Sequence, residues 1–110
     1  MVLKTMEQKL FSEDTVRSNL NVRETITAVK KAFKSFARGN AQMPEKSYLT
    51  FDEYDGDLRS MPAYLPDFDR ATVKVVNAHP GNPDRHGLPT VMALILVVDP
   101  QTGFPEAILD

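Results

Sequence analysis

Residues 91–98, Val-Met-Ala-Leu-Ile-Leu-Val-Val, form an unbroken apolar run between Thr90 and the pair Asp99-Pro100. The run is short, rich in branched side chains and bounded by turn residues, which predicts a strand. Successive side chains of a strand point to opposite faces, so this strand is apolar on both. Both faces must then be covered. At eight residues it is far below the roughly 20 that a membrane-spanning helix needs.

The neighbouring segments supply companions for it. Residues 72–79 alternate as a strand does, with Val73 and Val75 on one face and Lys74 and Val76 on the other. Residues 47–51 predict a short strand, Asp55-Gly56 a two-residue hairpin connection, and residues 58–65 the returning strand. Pro62 interrupts that return, which marks a sheet edge or a bulge. Residues 80–89, rich in Pro and Gly, read as a loop; Pro100-Gln101-Thr102-Gly103 reads as a tight turn, and 104–109 as a last strand.

The first forty residues have a different period. Ser12 can cap a helix over 13–20, and Asn21, with Glu24 three positions later, forms a capping-box pattern for a second. Val22, Ile26, Val29, Phe33 and Phe36 then recur at spacings of four, three, four and three, one stripe of an amphipathic helix over 22–38. Lys30, Lys31, Lys34 and Arg38 lie off that stripe, and Gly39 is a natural terminator. The expected fold class is α+β: two amino-terminal helices followed by a mainly antiparallel sheet, as one domain over residues 1–110. Residues 107–109 are apolar up to the last position, Asp110, so truncation or obligate association is expected.

Composition removes several functions. There is no cysteine among 110 residues, hence no disulfide framework and no thiolate nucleophile. The opening residues lack the apolar core of a signal peptide, and the cytoplasm is the expected compartment. Net charge is −2, split unevenly: residues 1–46 carry nine basic and five acidic side chains, residues 47–110 four and ten. The basic residues follow one helical pattern without interleaved aromatics, a solvated face rather than a nucleic-acid groove.

Motifs narrow the chemistry further. The cluster Asp52, Glu53, Asp55, Asp57 lacks an acidic first ligand in register with Gly56, so it reads as a solvated turn and not a calcium loop. His79 and His86 stand seven apart beside the Pro/Gly-rich segment, which is poor spacing for a metal site, and no metal is expected. No glycine-rich phosphate loop and no G-x-S-x-G occurs. Lys74 is the residue out of place, an ammonium in the middle of Val73-Lys74-Val75-Val76. It is either an exposed edge lysine or a cation at a pocket floor, set to grip a carboxylate.

Several blocks resemble the ornithine cyclodeaminase/mu-crystallin family. They are Met61-Pro62-Ala63-Tyr64-Leu65-Pro66, Val73-Lys74-Val75-Val76, His79-Pro80-Gly81-Asn82-Pro83, Gly87-Leu88-Pro89-Thr90-Val91 and Asp99-Pro100-Gln101-Thr102-Gly103-Phe104-Pro105. Asn21-Val22-Arg23-Glu24 and residues 29–33 also fit its opening helices. The resemblance implies a two-domain, usually dimeric enzyme whose first domain binds substrate and contributes strands to a barrel-like core shared by two subunits. It implies a separate Rossmann domain for NAD(H), to which nothing in these residues corresponds. By the same resemblance Lys74 is catalytic and holds the substrate carboxylate, Lys46 in the Met-Pro-x-basic segment assists it, Met61 lines the pocket and Thr90 contacts the cofactor. Lys46 departs from the family's usual arginine, giving a point charge where a fork is common.

The implied activity is the substrate-binding half of an NAD-dependent ornithine cyclodeaminase-like enzyme acting on an L-α-amino acid. Alternatives are an alanine dehydrogenase or ketimine reductase of the same family, a non-catalytic mu-crystallin-like binding protein, or a bare dimerisation module. The implied partners are a small amino acid and a second copy of the chain, without nucleic acid or membrane.

Overall fold

The computed structural model describes residues 1, 3 and 6–110. In chain order the elements are β1 (Lys9–Phe11), α1 (Glu13–Asn19), α2 (Val22–Ala37), β2 (Ser47–Phe51), β3 (Gly56–Leu65), β4 (Arg70–Ala78), α3 (Asn82–His86), β5 (Val91–Val98) and β6 (Pro105–Leu109). The strands form one six-stranded sheet in the order β1-β6-β5-β4-β3-β2. All pairings are antiparallel except β1 with β6. Among the described residues, no helix is long and apolar enough to cross a membrane.

The helices begin where short polar side chains can satisfy free amide groups. Ser12 accepts from the Thr15 N–H at 3.3 Å, and Asn21 from the Glu24 N–H at 3.1 Å. Gly39, at φ +74°, follows the last turn of α2. The helix is tied to the sheet by its polar side. Asp67, in the β3–β4 turn, accepts from the Ser35 hydroxyl and from Asn40 Nδ2 at 2.7 Å, and its carbonyl accepts from Lys31 Nζ at 3.0 Å. The Lys31 ammonium also lies 4.4 Å from the Phe68 ring centre. The apolar stripe is left open, with Phe33 70% exposed.

Three expectations change. The β2–β3 hairpin turns through four residues, not two: 52–54 make a 3-10 turn and Asp55 alone takes the left-handed conformation, at φ 50°. Gly56 already belongs to β3 and pairs with Phe51; its lack of a side chain serves the approach of the His79 ring, not the turn. The stretch 80–89 is not all loop, because Pro83 fits the first turn of α3 and Gly87, at φ 64°, closes it. The helices are also not the first elements. β1 precedes them and adds a parallel edge strand; three residues are too few for an alternation pattern to show.

The sheet is a single open layer and does not close into a barrel within this chain. Among the described residues no hydrophobic side chain is buried, and the two residues nearly lost to solvent are polar, Ser35 and Asn82. The radius of gyration is 16.6 Å, against roughly 13 Å for a compact domain of this length. Leu94, in the two-sided apolar strand, remains 47% exposed.

Pro62 explains the shape of one sheet edge. It pairs in register with Val73, so the β3–β4 ladder is regular there. On its other side four residues, 43–46, stand opposite three, 61–63, a slip of one between the Gln42–Tyr64 and Ser47–Ser60 pairs. Tyr64, two residues on, exchanges both backbone hydrogen bonds with Gln42, at 2.9 and 2.8 Å. Backbone polarity alternates along a strand, so Pro62 also turns its amide position toward that side. The β2 ladder starts only at Ser47 opposite Ser60. Residues 43–46 therefore bow away from the sheet at the one position of β3 that has no N–H to offer.

Candidate functional site

The bow at Pro62 opens a groove of about 850 Å³. One wall is the displaced segment, contributing Met43, Pro44, Glu45 and Lys46. The floor comes from the sheet, where the register places Met61 and Ile95 on either side of Lys74. Facing residues on adjacent strands stand about 5 Å apart and share a face. Thr72 and Ala63, the next pair along that face, line the groove as well, whereas Val73 and Val75 do not. The alternation expected for β4 is thus the one observed, and it puts Lys74 over the groove.

Three of the four residues singled out from the sequence, Lys46, Met61 and Lys74, meet in this groove. Thr90 does not join them. It precedes β5 beside His79, whose N–H donates to its carbonyl at 2.8 Å. From Ile95, opposite Lys74, Thr90 lies five residues along the strand, a distance of about 16 Å. The sequence reading missed Tyr48, Ile95, Thr72 and Glu45 as groove residues. Their periodicity is visible in the sequence, but the register that brings them beside Lys74 is not.

The electrostatics separate the cations on this face. Arg59 grips Asp57 with two hydrogen bonds, Nε to Oδ1 at 2.8 Å and Nη2 to Oδ2 at 3.0 Å, and its guanidinium lies 5.4 Å from the Tyr48 ring centre. The hydrogen bond from Arg59 holds the Asp57 carboxyl below the usual aspartate range and raises the guanidinium in turn. Arg59 is thereby charge-balanced. Among the described residues, neither Lys46 nor Lys74 has an ion-pair partner. The remaining lining is largely apolar, with Glu45 the one carboxylate. Two unpaired ammonium groups over an apolar floor can orient a small carboxylate whose other end is not charged.

Sequence and structure comparisons agree with one another. The sequence profile of the ornithine cyclodeaminase/mu-crystallin family matches residues 6–110. Alanine dehydrogenase of Archaeoglobus fulgidus is 50% identical over 105 residues, 96% of this chain and 31% of that protein. The solved structure of an archaeal alanine dehydrogenase dimer with bound NAD superimposes with a TM-score of 0.89 at 50% identity, over 96% of this chain and 31% of that one. Δ1-pyrroline-2-carboxylate reductase of Thermococcus litoralis, in complex with NADH and L-proline, gives 0.88 at 34% identity, over 93% and 31%. The chain thus spans about 31% of the length of these relatives.

Proposed function

Because the chain belongs to the ornithine cyclodeaminase/mu-crystallin family, we propose that residues 1–110 are the substrate-binding and dimerisation part of an NAD-dependent oxidoreductase acting at the α-carbon of a small amino or imino acid. The observation that carries this reading is the placement of two unpaired lysines, Lys46 and Lys74, over one apolar groove. Lys74 approaches the ligand from the sheet and Lys46 from the bowed wall, so a carboxylate between them is held from two directions. Met61 and Ile95 flank the Lys74 stem and exclude water from the α-carbon side.

Bound NAD would accept or return a hydride at that carbon. The residues present do not form a nucleotide site: there is no glycine-rich strand–turn–helix, and Thr90, the one residue matched to a cofactor contact, lies outside the groove. The cofactor would be held mainly by sequence outside these residues.

Among the family's reactions, identity favours dehydrogenation or imine reduction, since the relatives at 50% and 34% are an alanine dehydrogenase and a cyclic imine reductase. The ring-closing ornithine reaction would bring a second ammonium beside Lys46 and Lys74, with Glu45 alone to balance it. The exposed apolar stripe of α2 and the open faces of the sheet support a second copy as partner, completing a barrel-like core. The test is an assay of the protein joined to its nucleotide-binding part. NADH formation is followed with L-alanine, ammonia release with L-ornithine, and NADH consumption with Δ1-pyrroline-2-carboxylate. Turnover of alanine or the cyclic imine is expected. Saturable binding of these acids without any turnover would instead leave the mu-crystallin-like binding protein.

A further inference from the structure

Away from the groove, a second cluster of polar side chains surrounds a cleft of about 170 Å³. Tyr54 comes from the β2–β3 turn, His79 directly follows β4, and Arg85 and His86 come from α3. Among the described residues none of these four side chains makes a hydrogen bond or ion pair. No carboxylate lines the cleft. The chemistry on offer is a guanidinium fork, a phenol hydroxyl and two imidazoles, all able to donate.

The surrounding backbone fixes these groups. The His79 ring stacks on Phe51, with centroids 5.8 Å apart, and occupies the space that a side chain on Gly56 would need. Arg85 folds back over Gly81, where a β-carbon would stand 3.3 Å from Cζ. The segment between β4 and β5 is braced at both ends: His79 N–H donates to Thr90 O at 2.8 Å, Asn82 N–H to His79 O at 3.0 Å, and the buried Asn82 side chain to Pro89 O at 3.1 Å. Glu53 and Asp55 flank Tyr54 in the chain and Asp84 precedes Arg85, but none of the three lines the cleft. Asp57, whose carboxyl His79 also helps to hold low, is gripped by Arg59.

We propose that the cleft between Tyr54, His79, Arg85 and His86 is a binding site for a tetrahedral oxyanion, either inorganic phosphate or the phosphate of a monoester. Arg85 supplies the bidentate grip that such an anion takes best, and the histidines and Tyr54 close around its remaining oxygens. The site is independent of the carboxylate groove, since the two share no residue.

Side-chain nuclear magnetic resonance of His79 and His86 tests this in the protein joined to its nucleotide-binding part, with NAD present so that the cofactor site is filled. Inorganic phosphate is titrated at constant ionic strength, with chloride as the competing salt. Saturable shifts of both imidazoles are expected. Binding should be at least tenfold weaker in Arg85→Ala, intermediate in Arg85→Lys, and unchanged in Lys34→Ala on the basic face of α2. Methyl phosphate separates the sources: equal affinity assigns the free ion, tighter binding assigns a phosphate ester, and both uphold the site. Shifts that chloride reproduces, or an Arg85→Ala variant that titrates like the parent, would overturn it.

Discussion

A β-carbon placed on Gly56 would stand 2.4 Å from Cδ2 of the His79 ring, closer than any real contact allows. The ring also stacks on Phe51, with centroids 5.8 Å apart, and would lose that contact by moving away. Gly56→Ala is therefore expected to destabilise the protein by about 1–3 kcal/mol, the usual cost of overfilling a packed position. Urea unfolding measures it; an unchanged midpoint would mean that the ring swings away freely.

Asp67 is the polar anchor of α2. Replacing it with alanine removes the acceptor from Ser35, which is 1% exposed, and from Asn40. An unsatisfied buried donor costs about 1–3 kcal/mol. The loss should be local, so amide exchange of 30–38 is expected to quicken more than that of β4. Uniform acceleration across helix and sheet would show that Asp67 supports the whole fold instead.

Asp57 and Asp99 give the protein an acid-sensitive component. Asp57 is held below the ordinary aspartate value of 3.8 by its hydrogen bond from Arg59, and Asp99 by the Thr102 hydroxyl and the Gln101 N–H. A carboxyl depressed in the folded state stabilises it fully above the unfolded value. That contribution fades as pH falls from about 4 through the folded values. Melting temperature followed from pH 6 to pH 2 should drop less steeply in Asp57→Asn and Asp99→Asn than in the parent.

Lys74→Met keeps the length of the side chain and removes the ammonium from the groove. One charged hydrogen bond is worth about 1.5–3 kcal/mol, so kcat/KM for the amino acid should fall by roughly 10- to 100-fold or more, without loss of fold. Lys46→Arg restores a fork at the bowed wall and should lower KM. Near-normal turnover of Lys74→Met would remove Lys74 from the reaction.

Leu94 lies on the sheet face opposite Lys74, paired with Val75. If a second copy covers that face, Leu94→Asp should convert a dimer into a monomer on a sizing column. A parent that is already a well-behaved monomer would refute association through the sheet.

Much of this fold was legible in the sequence because the signals were local. Ser12 and Asn21 announced the helix starts, the alternation around Lys74 gave its strand, and the apolar run gave β5. The four-residue turn at 52–55 was misjudged because Asp55 can adopt the left-handed conformation that the Asp-Gly pattern assigns to both residues. β1 escaped because three residues carry no period. For the site, Lys74 stood out as an ammonium in an apolar strand, Lys46 and Met61 were named from family resemblance, and the three converge in one groove. Tyr48 and Ile95 could not be named, since only ladder register brings them there, and register is a long-range property.

Pro62 carries one more consequence. A sheet margin exposed by a bowed neighbour can ordinarily be sealed, by the neighbour relaxing inward or by a foreign strand docking along it. The tertiary amide nitrogen of Pro62 gives neither of them a proton to bond. Sealing the mouth over Lys74 thus always forgoes one ladder hydrogen bond, a bias toward the open groove written into covalent structure.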